Sequence, residues 1–307
     1  MVIRKILMKK AVKKKFRQRE EVEVRDYPIP VKDYSWEPGK DPKTRREIEK
    51  FFNSPKIEAI KRLIVDLGRR SYGRSFNDGN GGNFTVRVGD NLVLCTPTMV
   101  SKGSMTVQDM CLVNLDGEQL AGSRRRTSEV LAHLAIMRRQ KLAKACCHAH
   151  PPHATAFALA GLTPPRCANP ETEIFIGQVA VADYDTPGTS SMAELVGEAG
   201  AEHDCVFMLN HGVMTWAGDV ETALWKMENI EAHCRTCMLA AQLGGALQFG
   251  PEKAEQLIAM RDAMGFVRQP DCRSFKSGDK SLLWNMDAFV DAVAARVAKK
   301  LGKGKKR

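Results

Sequence analysis

Residues 145–151 have the sequence ACCHAHP, which places His148 and His150 two positions apart in a short apolar run. Alternate residues of a strand point to the same face of a sheet, so both rings can reach one ion from a single strand. A third histidine, His211, ends a later apolar run and is expected to reach the same ion from a second strand. Three neutral imidazoles with an open fourth position are typical of catalytic zinc sites. The pattern predicts a three-histidine metal site; the alternative is three core histidines with ordinary hydrogen bonds.

The net charge of +11 is concentrated at the two ends of the chain. Residues 1–20 hold nine Lys and Arg against one Glu, and residues 299–307 hold six Lys and Arg. The body between these tails is therefore close to neutral. This distribution favours solvated basic tails, and weak binding of the tails to RNA or another polyanion is the functional alternative.

Cysteine usage and hydropathy indicate the compartment. The nine cysteines are an odd number without regular spacing, which favours free thiols in a reducing environment and predicts a cytoplasmic location. No apolar run approaches the roughly 20 residues that a membrane-spanning helix needs. We therefore expect neither a disulfide framework nor a membrane span.

Short strands and helices alternate along the chain. Ser54-Pro55 is a typical helix start, with a capping side chain before proline at the first helical position. Hydrophobic periodicity predicts strands at 84–88, 92–96, 110–114, 145–150, 176–181 and 204–209, and helices at 54–73, 127–140, 191–201, 219–243, 251–264 and 281–300. This order predicts an α/β fold, a three-layer sandwich with a mostly antiparallel central sheet flanked by helices.

Five motifs follow one another along the chain. They are G-N-x-T-x-R at 82–87, T-P at 96–97, S-E-x-x-x-H at 128–133, H-x-H at 148–150 and N-H-G at 210–212, before a long helix. In this order they resemble the class II aldolase/adducin family, and most closely the fuculose-phosphate-type aldolases. The resemblance covers roughly residues 54–245, which we take as the catalytic domain. Residues 1–53 are then a basic, partly disordered extension, and 246–307 a helical segment with a basic tail.

The resemblance implies the roles of particular residues. Members of this family are zinc enzymes that commonly form cyclic tetramers with active sites at subunit interfaces, so one Zn²⁺ per subunit and a homotetramer are expected. The implied zinc ligands are His148, His150 and His211. Glu129 falls at the position of the catalytic carboxylate; related 4-epimerases have Asp there. The positions that bind the substrate phosphate in this family correspond here to Gly82, Asn83, Thr98, Thr127 and Ser128.

The predicted chemistry requires residues of these types. Cleavage of the carbon–carbon bond of a ketose 1-phosphate leaves negative charge that zinc can stabilise as a Lewis acid. A carboxylate, here Glu129, must then move a proton at carbon. Free N–H groups at the start of a helix from Thr127, together with the Thr127 and Ser128 hydroxyls, favour a phosphate dianion. We therefore expect a lyase that converts a (deoxy)ketose 1-phosphate, such as fuculose 1-phosphate, to dihydroxyacetone phosphate and an aldehyde.

The chain departs from the family pattern in two places. Thr98-Met99 stands where the family often has Ser-Gly, which predicts an altered phosphate loop. The last tyrosine is Tyr184, whereas known aldolases of this family use a C-terminal tyrosine in proton delivery; water, Lys102 or another group replaces it, or the reaction differs. His133 is predicted to orient Glu129, to line a subunit interface or to be purely structural. His153 is predicted to cap a helix rather than bind metal.

Other functions remain open at this stage. The same metal and Glu129 suit a dehydratase of the methylthioribulose-1-phosphate type, and a sugar-phosphate 4-epimerase is a further enzymatic alternative. A non-catalytic, adducin-like interaction module would be expected to lose the three histidines, all of which are present. The sequence does not identify the sugar phosphate, and three imidazoles also accept cobalt or manganese.

Overall fold

A central sheet of eight strands runs through the computed structural model, which describes residues 35–264, 283–284 and 294. Its spatial order is β4-β3-β2-β1-β5-β8-β7-β6, and every neighbouring pair is antiparallel except β6 and β7. The predicted α/β fold with a mostly antiparallel sheet is confirmed. The strands are β1 (Asn83–Arg87), β2 (Val93–Cys95), β3 (Cys111–Val113), β4 (Gln119–Ala121), β5 (Ala145–Ala149), β6 (Ala180–Ala182), β7 (Cys205–Met208) and β8 (Gly212–Ala217).

Helices cover both faces of this sheet. They are α1 (Arg45–Phe52), α2 (Pro55–Gly73), α3 (Val130–Arg139), α4 (Pro152–Ala160), α5 (Pro170–Phe175), α6 (Ser190–Glu202), α7 (Val220–Gln242) and α8 (Pro251–Ala263). On one face, α3 and α6 pack together over a buried apolar cluster drawn from β2, β3, β5, β7 and β8. Trp216 of β8 faces this layer and donates from its indole N–H to the Gly200 carbonyl of α6 at 2.8 Å.

The long helix α7 forms the centre of the opposite layer. Thr215 precedes Trp216 on β8 and therefore points the other way, where its hydroxyl donates to the Ala223 carbonyl of α7 at 2.7 Å. Helices α2, α4 and α5 contact α7 on this side. The layers are thus helix, sheet and helix, and the strand ends that carry the histidines lie at one edge of the middle layer.

Residues 35–53, which the sequence analysis placed in the N-terminal extension, include a capped helix and contacts with the body. Thr44 and Glu47 form a reciprocal capping box at the start of α1. The indole N–H of Trp36 donates to Asp90 at 2.7 Å, and Asp41 accepts hydrogen bonds from the backbone of Asp90 and Asn91. Residues 35–53 thus contact the body directly, and the boundary at residue 54 remains a prediction; residues 1–34 lie outside the described range.

A buried charge cluster attaches α8 to the body. Arg261 of α8 donates to the Ile174 carbonyl at 2.9 Å and to Asp204 at 3.2 Å, and Lys226 of α7 donates to the same carboxylate at 2.7 Å. All three charged side chains are buried. The predicted helix at 251–264 is confirmed, whereas the helix predicted near 281–300 falls mostly outside the described residues, of which Leu283–Trp284 form a short strand.

Several elements differ from the sequence prediction. Residues 170–175 form α5 where no helix was predicted, and the strand expected at 176–181 is confined to Ala180–Ala182. The start signal is local: the Asn169 side chain accepts from the Thr172 N–H, and proline occupies the first helical position. Strand β8 was also missed. Among the described residues, no helix combines the length and apolar character that crossing a bilayer requires.

Candidate active site

The three predicted ligand histidines lie together at the ends of β5 and β7. His148 is on β5, His150 follows it, and His211 lies in the turn between β7 and β8. Strands β5 and β8 are antiparallel neighbours with Ala149 opposite Val213, which brings the two motifs to the same place. The three ring centroids are 4.8 to 5.2 Å apart in pairs, and one ligand atom from each ring lies within 4.8 Å of the others.

The turn that presents His211 depends on an unusual backbone conformation. His211 was expected on a strand, but the structure places it before β8, directly after Asn210. Asn210 has φ of +57°, a left-handed conformation that asparagine tolerates better than most residues. The tight turn allows the chain to leave β7, present the ring and return as β8.

The hydrogen bonds of two rings determine which nitrogen of each ring offers a lone pair to a metal. Nδ1 of His148 lies 2.9 Å from the Val213 carbonyl oxygen, and Nδ1 of His150 lies 3.1 Å from the Asp78 carboxylate. Both partners can only accept, so each Nδ1 carries the hydrogen and each Nε2 of a neutral ring offers a lone pair. These two Nε2 atoms face each other at 3.1 Å. Two lone pairs at this distance repel unless a cation lies between them, so the donor set fits a bound metal ion.

Burial favours the neutral, metal-binding form of two of the three rings. Desolvation lowers the pKa of His148 well below its usual range, with further lowering from the neighbouring His150 and His211. Desolvation also lowers the pKa of His211, and the carboxylate of Glu129 partly opposes that shift. Neutral imidazole is the form that binds metals, so the environment favours ligation over protonation.

Glu129 lies against the same cluster. Its Oε2 accepts a hydrogen bond from the Asn83 side-chain amide at 2.8 Å and lies 3.3 Å from Nε2 of His148, and its Oε1 lies 3.1 Å from Nε2 of His211. The residue is 8% exposed. Asn83 is paired with His148 across β1 and β5, so the amide that holds the carboxylate comes from the strand next to the histidines. The arrangement places one carboxylate beside three convergent imidazoles.

The start of α3 differs from the predicted helix start. Glu129 is the residue before the helix, which begins at Val130, and Thr127 lies in an extended segment whose N–H donates to the Thr96 carbonyl at 3.0 Å. The Thr98 N–H likewise donates to the Arg125 carbonyl at 3.0 Å. Two backbone donors in the predicted phosphate segments are therefore already used. The same bonds bring the 96–98 segment alongside the segment that carries Thr127 and Ser128.

The other two predicted phosphate residues lie on the side of His148. Gly82 has φ of +70°, and a side chain there would meet Asn77 and the His148 carbonyl oxygen. Asn83 follows it and is bonded to Glu129. Gly82 and Asn83 therefore lie next to the three histidines, whereas Thr98, Thr127 and Ser128 belong to the neighbouring segments. The phosphate role of all five residues remains a prediction.

Met99 keeps a glycine-like backbone in this region. Its φ is +57°, its side chain is 79% exposed, and the Asn80 amide lies 3.1 Å from its sulfur. The chain thus adopts the left-handed conformation that glycine normally supplies, at a cost in strain of about 1–2 kcal/mol. Met99 therefore occupies a backbone position that glycine would adopt without this strain, and the altered phosphate loop remains a prediction.

His133 and His153 lie outside the group of three ligand histidines. Burial lowers the pKa of His133 to about 3, and its Nδ1 lies 2.9 Å from the Thr85 hydroxyl. His153 lies in the first turn of α4, where its backbone N–H and ring both contact the carboxylate of Glu231. Glu231, rather than His153, therefore caps that helix. Asp78 was not among the predicted site residues, because its contact with His150 joins residues that lie far apart in the sequence.

Comparison with known proteins agrees with this geometry. The sequence profile described as Class II Aldolase and Adducin N-terminal domain matches residues 62–238, more than half of the chain. The chain belongs to the class II aldolase and adducin family. The match begins inside α2 and ends inside α7, so it includes the three histidines and Glu129.

Relatives of this chain include decarboxylases and aldolases. The chain is 32% identical over 177 residues to a 3-oxo-tetronate 4-phosphate decarboxylase of Haemophilus influenzae, covering 56% of this chain and 84% of that one. It is 33% identical over 168 residues to an L-fuculose phosphate aldolase of Methanococcus maripaludis, covering 55% and 90% respectively. The prediction of a lyase is confirmed at the level of the family, and the substrate differs among its members.

Solved structures share the fold. A structure described as L-fuculose 1-phosphate aldolase superposes with a TM-score of 0.61 at 24% identity, covering 67% of this chain and 96% of that one. An aldolase II superfamily protein from Pseudomonas syringae superposes with a TM-score of 0.60 at 16% identity, covering 82% and 97%. At these identities the likeness concerns the fold alone.

Proposed function

We propose that this member of the class II aldolase family is a metal-dependent lyase that acts on a phosphorylated keto sugar. The leading substrate class is a (deoxy)ketose 1-phosphate such as fuculose 1-phosphate, cleaved to dihydroxyacetone phosphate and an aldehyde. The observation that carries the proposal is the convergence of three imidazoles on the carboxylate of Glu129. The aldolases among the relatives support the substrate class.

The proposed metal ligands are Nε2 of His148 and of His150 together with the ring of His211. When bound, a divalent ion such as zinc acts as a Lewis acid that stabilises the negative charge developing on substrate oxygens. Asp78 and the Val213 carbonyl orient two of the rings through their Nδ1 hydrogens. One Zn²⁺ per subunit is the expected loading.

Glu129 is the proposed acid and base at carbon. Breaking the bond between carbons 3 and 4 leaves an electron pair on carbon 3, and a protonated Glu129 delivers the proton that completes dihydroxyacetone phosphate. Asn83 holds one carboxylate oxygen at 2.8 Å and so limits the positions that the group can adopt. A carboxylate held in this way is preorganised for transfer at one carbon.

The substrate phosphate is proposed to bind where the 78–83 turn and the segments of Thr98 and Ser128 meet. Gly82 gives this turn its positive φ, a conformation that glycine adopts without strain. The hydroxyls of Thr98, Thr127 and Ser128 are the proposed donors, because the backbone N–H groups of Thr98 and Thr127 are already bonded. This assigns recognition mainly to side-chain hydroxyls and to the glycine-rich turn.

Decarboxylation of a 3-oxo acid phosphate is the second candidate. Loss of carbon 1 from 3-oxo-tetronate 4-phosphate leaves an electron pair on carbon 2, and one proton there gives the same product, dihydroxyacetone phosphate. Aldol cleavage must also remove the proton of the hydroxyl that becomes the aldehyde, and the sequence holds no tyrosine after Tyr184 for this step. Decarboxylation needs no such base, so this feature and the decarboxylase relatives favour it.

Assembly and location complete the proposal. A homotetramer is expected from the family resemblance, with the active sites at subunit interfaces. The buried thiols of Cys95, Cys146, Cys205 and Cys234 support a cytoplasmic location. Weak binding of a polyanion by the basic tails would be an addition to the enzyme and independent of its site.

Release of triose phosphate tests the proposal. Zinc-loaded protein is supplied separately with fuculose 1-phosphate, 5-deoxyribulose 1-phosphate, 3-oxo-tetronate 4-phosphate, methylthioribulose 1-phosphate and a pentulose phosphate. Dihydroxyacetone phosphate, aldehyde, carbon dioxide, diketone phosphate and epimerised sugar are measured. Triose phosphate with aldehyde identifies an aldolase, and triose phosphate with carbon dioxide a decarboxylase. A diketone phosphate from methylthioribulose 1-phosphate, or an epimerised pentulose phosphate, without triose phosphate from any substrate, would overturn the proposal in favour of a dehydratase or 4-epimerase.

A further inference from the structure

Lys102 is a fully buried lysine near the candidate site. It is 1% exposed, and its ammonium group donates to the carbonyl oxygens of Asn80 at 3.0 Å and Val100 at 2.7 Å. Asn80 belongs to the turn that contains Gly82, and Val100 follows the segment of Thr98. One side chain therefore links the two loops in which the proposed function places the phosphate.

The charge of this lysine lacks a carboxylate partner. Two other lysines of the described region are equally buried, and each forms an ion pair at 2.7 Å: Lys61 with Glu58, and Lys226 with Asp204. Lys102 forms no such pair with any carboxylate in the part of the chain that the structure describes. A buried ammonium without an anion is costly, and neutral carbonyl oxygens compensate for only part of that cost.

The position of the charge indicates the missing anion. Burial lowers the pKa of Lys102 to about 8, while the carboxylate of Glu129 opposes this shift, so the ammonium lies within the electrostatic range of the catalytic carboxylate. The field of the same ammonium reaches His148. The positive charge is thus close to the reaction centre, beneath loops that carry hydroxyl donors.

We propose that Lys102 is a positioning residue for the substrate phosphate: its buried ammonium ties together the two loops that enclose the anion and supplies a positive charge that a phosphate dianion compensates. The inference rests on the proposed function and deepens it by assigning phosphate recognition to a residue outside the five predicted ones. Because the ammonium is covered by the loops, it acts through the loop backbone and its electric field rather than by touching the substrate.

Binding of simple phosphates tests this inference without turnover. Inorganic phosphate and dihydroxyacetone phosphate are titrated into metal-loaded full-length protein by calorimetry, for the wild type, Lys102→Met, Lys102→Arg and the matched control Lys61→Met. We expect Lys102→Met to weaken both affinities about tenfold or more, Lys102→Arg to stay within about threefold of the wild type, and Lys61→Met to bind as the wild type does. The salt dependence of phosphate binding should also become shallower in Lys102→Met.

Two results would overturn the inference. One is a Lys102→Met protein with wild-type affinity for both phosphates, and the other is an equal loss in Lys61→Met, which would mark a general effect of removing a buried lysine. Circular dichroism checks the fold of each variant. If Lys102→Met does not fold, the comparison of Lys102→Arg with Lys102→Gln decides: equal affinities would reject a role for the charge.

The triose-phosphate assay separates this inference from the proposed function. Suppose that the wild-type protein releases no triose phosphate but binds phosphate with the expected dependence on Lys102. This result would reject the proposed reaction and support the role of Lys102. Release of triose phosphate together with unchanged phosphate affinity in Lys102→Met would keep the reaction and remove the role of Lys102.

Discussion

Oε1 of Glu129 lies 3.1 Å from Nε2 of His211. The carboxylate therefore lies on the side of the ring that the neighbouring histidines also face. Its second oxygen is held by Asn83, so the group has one fixed contact and one contact towards the proposed metal. This arrangement gives Glu129 two properties that can be tested separately, transfer of a proton and proximity to the cation.

Removal of the acid and base function should reduce turnover without emptying the site. Glu129→Gln keeps the size of the side chain and its bond to Asn83 but cannot carry the proton, so we expect triose-phosphate release to fall about 10²–10⁴-fold. Bound metal, measured by elemental analysis, should remain. Glu194→Gln, at an exposed surface ion pair, is the control. Unchanged turnover in Glu129→Gln would reject the assignment.

The carboxylate of Asp78 should strengthen metal binding through His150. Asp78 accepts from Nδ1 of His150 at 3.1 Å, and such outer contacts raise the basicity of the ligand nitrogen. Asp78→Ala is expected to weaken metal affinity about 10–100-fold in a competition with a chelator. Asp116→Ala, in a distant turn, should leave affinity unchanged; equal metal affinity in both variants would contradict the role of Asp78.

The conformation of Gly82 predicts a contrast with Gly79. Both have positive φ, but a side chain at Gly82 would meet Asn77 and lie 2.9 Å from the His148 carbonyl oxygen, whereas a side chain at Gly79 would meet nothing within 4 Å. Gly82→Ala should lower the free energy of unfolding by about 2 kcal/mol more than Gly79→Ala, measured by urea denaturation. Equal losses of unfolding free energy would mean that backbone strain alone, without the contact to Asn77, accounts for the effect of both substitutions.

Acid should destabilise the metal-free protein in part through His133. Burial lowers the pKa of this ring from 6.5 to about 3. Below pH 6.5 the unfolded chain therefore gains a proton here that the folded chain does not, and the free energy of unfolding falls as the pH decreases towards 3. One such group contributes a slope of about 1.4 kcal/mol per pH unit. The free energy of unfolding is measured by urea denaturation at several pH values between 3 and 6.5. Its dependence on pH should be shallower by that amount in His133→Asn, and an identical dependence would contradict the prediction.

The sequence predicts the site better where it depends on periodicity than where it depends on turns. The spacing of His148 and His150 on a strand and the order of the motifs indicated the metal cluster, because strand alternation and chain order determine both. The position of His211 in a turn was not predicted, since it depends on the positive φ of Asn210 and on β8, which was missed. Local regularity is visible in sequence, whereas turn geometry depends on the strands that flank it.

Long-range contacts account for the remaining differences. The N–H group of Thr127 was expected to be free at a helix start, but it bonds to the Thr96 carbonyl, and the N–H group of Thr98 bonds to the Arg125 carbonyl on the facing segment. The contact between Asp78 and His150 likewise joins residues 72 positions apart. No local sequence pattern encodes such pairs. The predicted phosphate segments could therefore be identified, but not which of their N–H donors are already hydrogen-bonded within the protein.

Metal content tests the central claim most directly. Protein purified without chelators is analysed for bound metal per chain, together with His150→Ala, His211→Ala and the control His203→Ala, whose ring contacts the Ala199 carbonyl away from the cluster. We predict about one zinc or similar divalent ion per chain in the wild type and in His203→Ala. His150→Ala and His211→Ala should lose most of this bound metal. A metal-free wild type that cannot be loaded with zinc, or His150→Ala and His211→Ala proteins that retain a full equivalent, would contradict the three-histidine site.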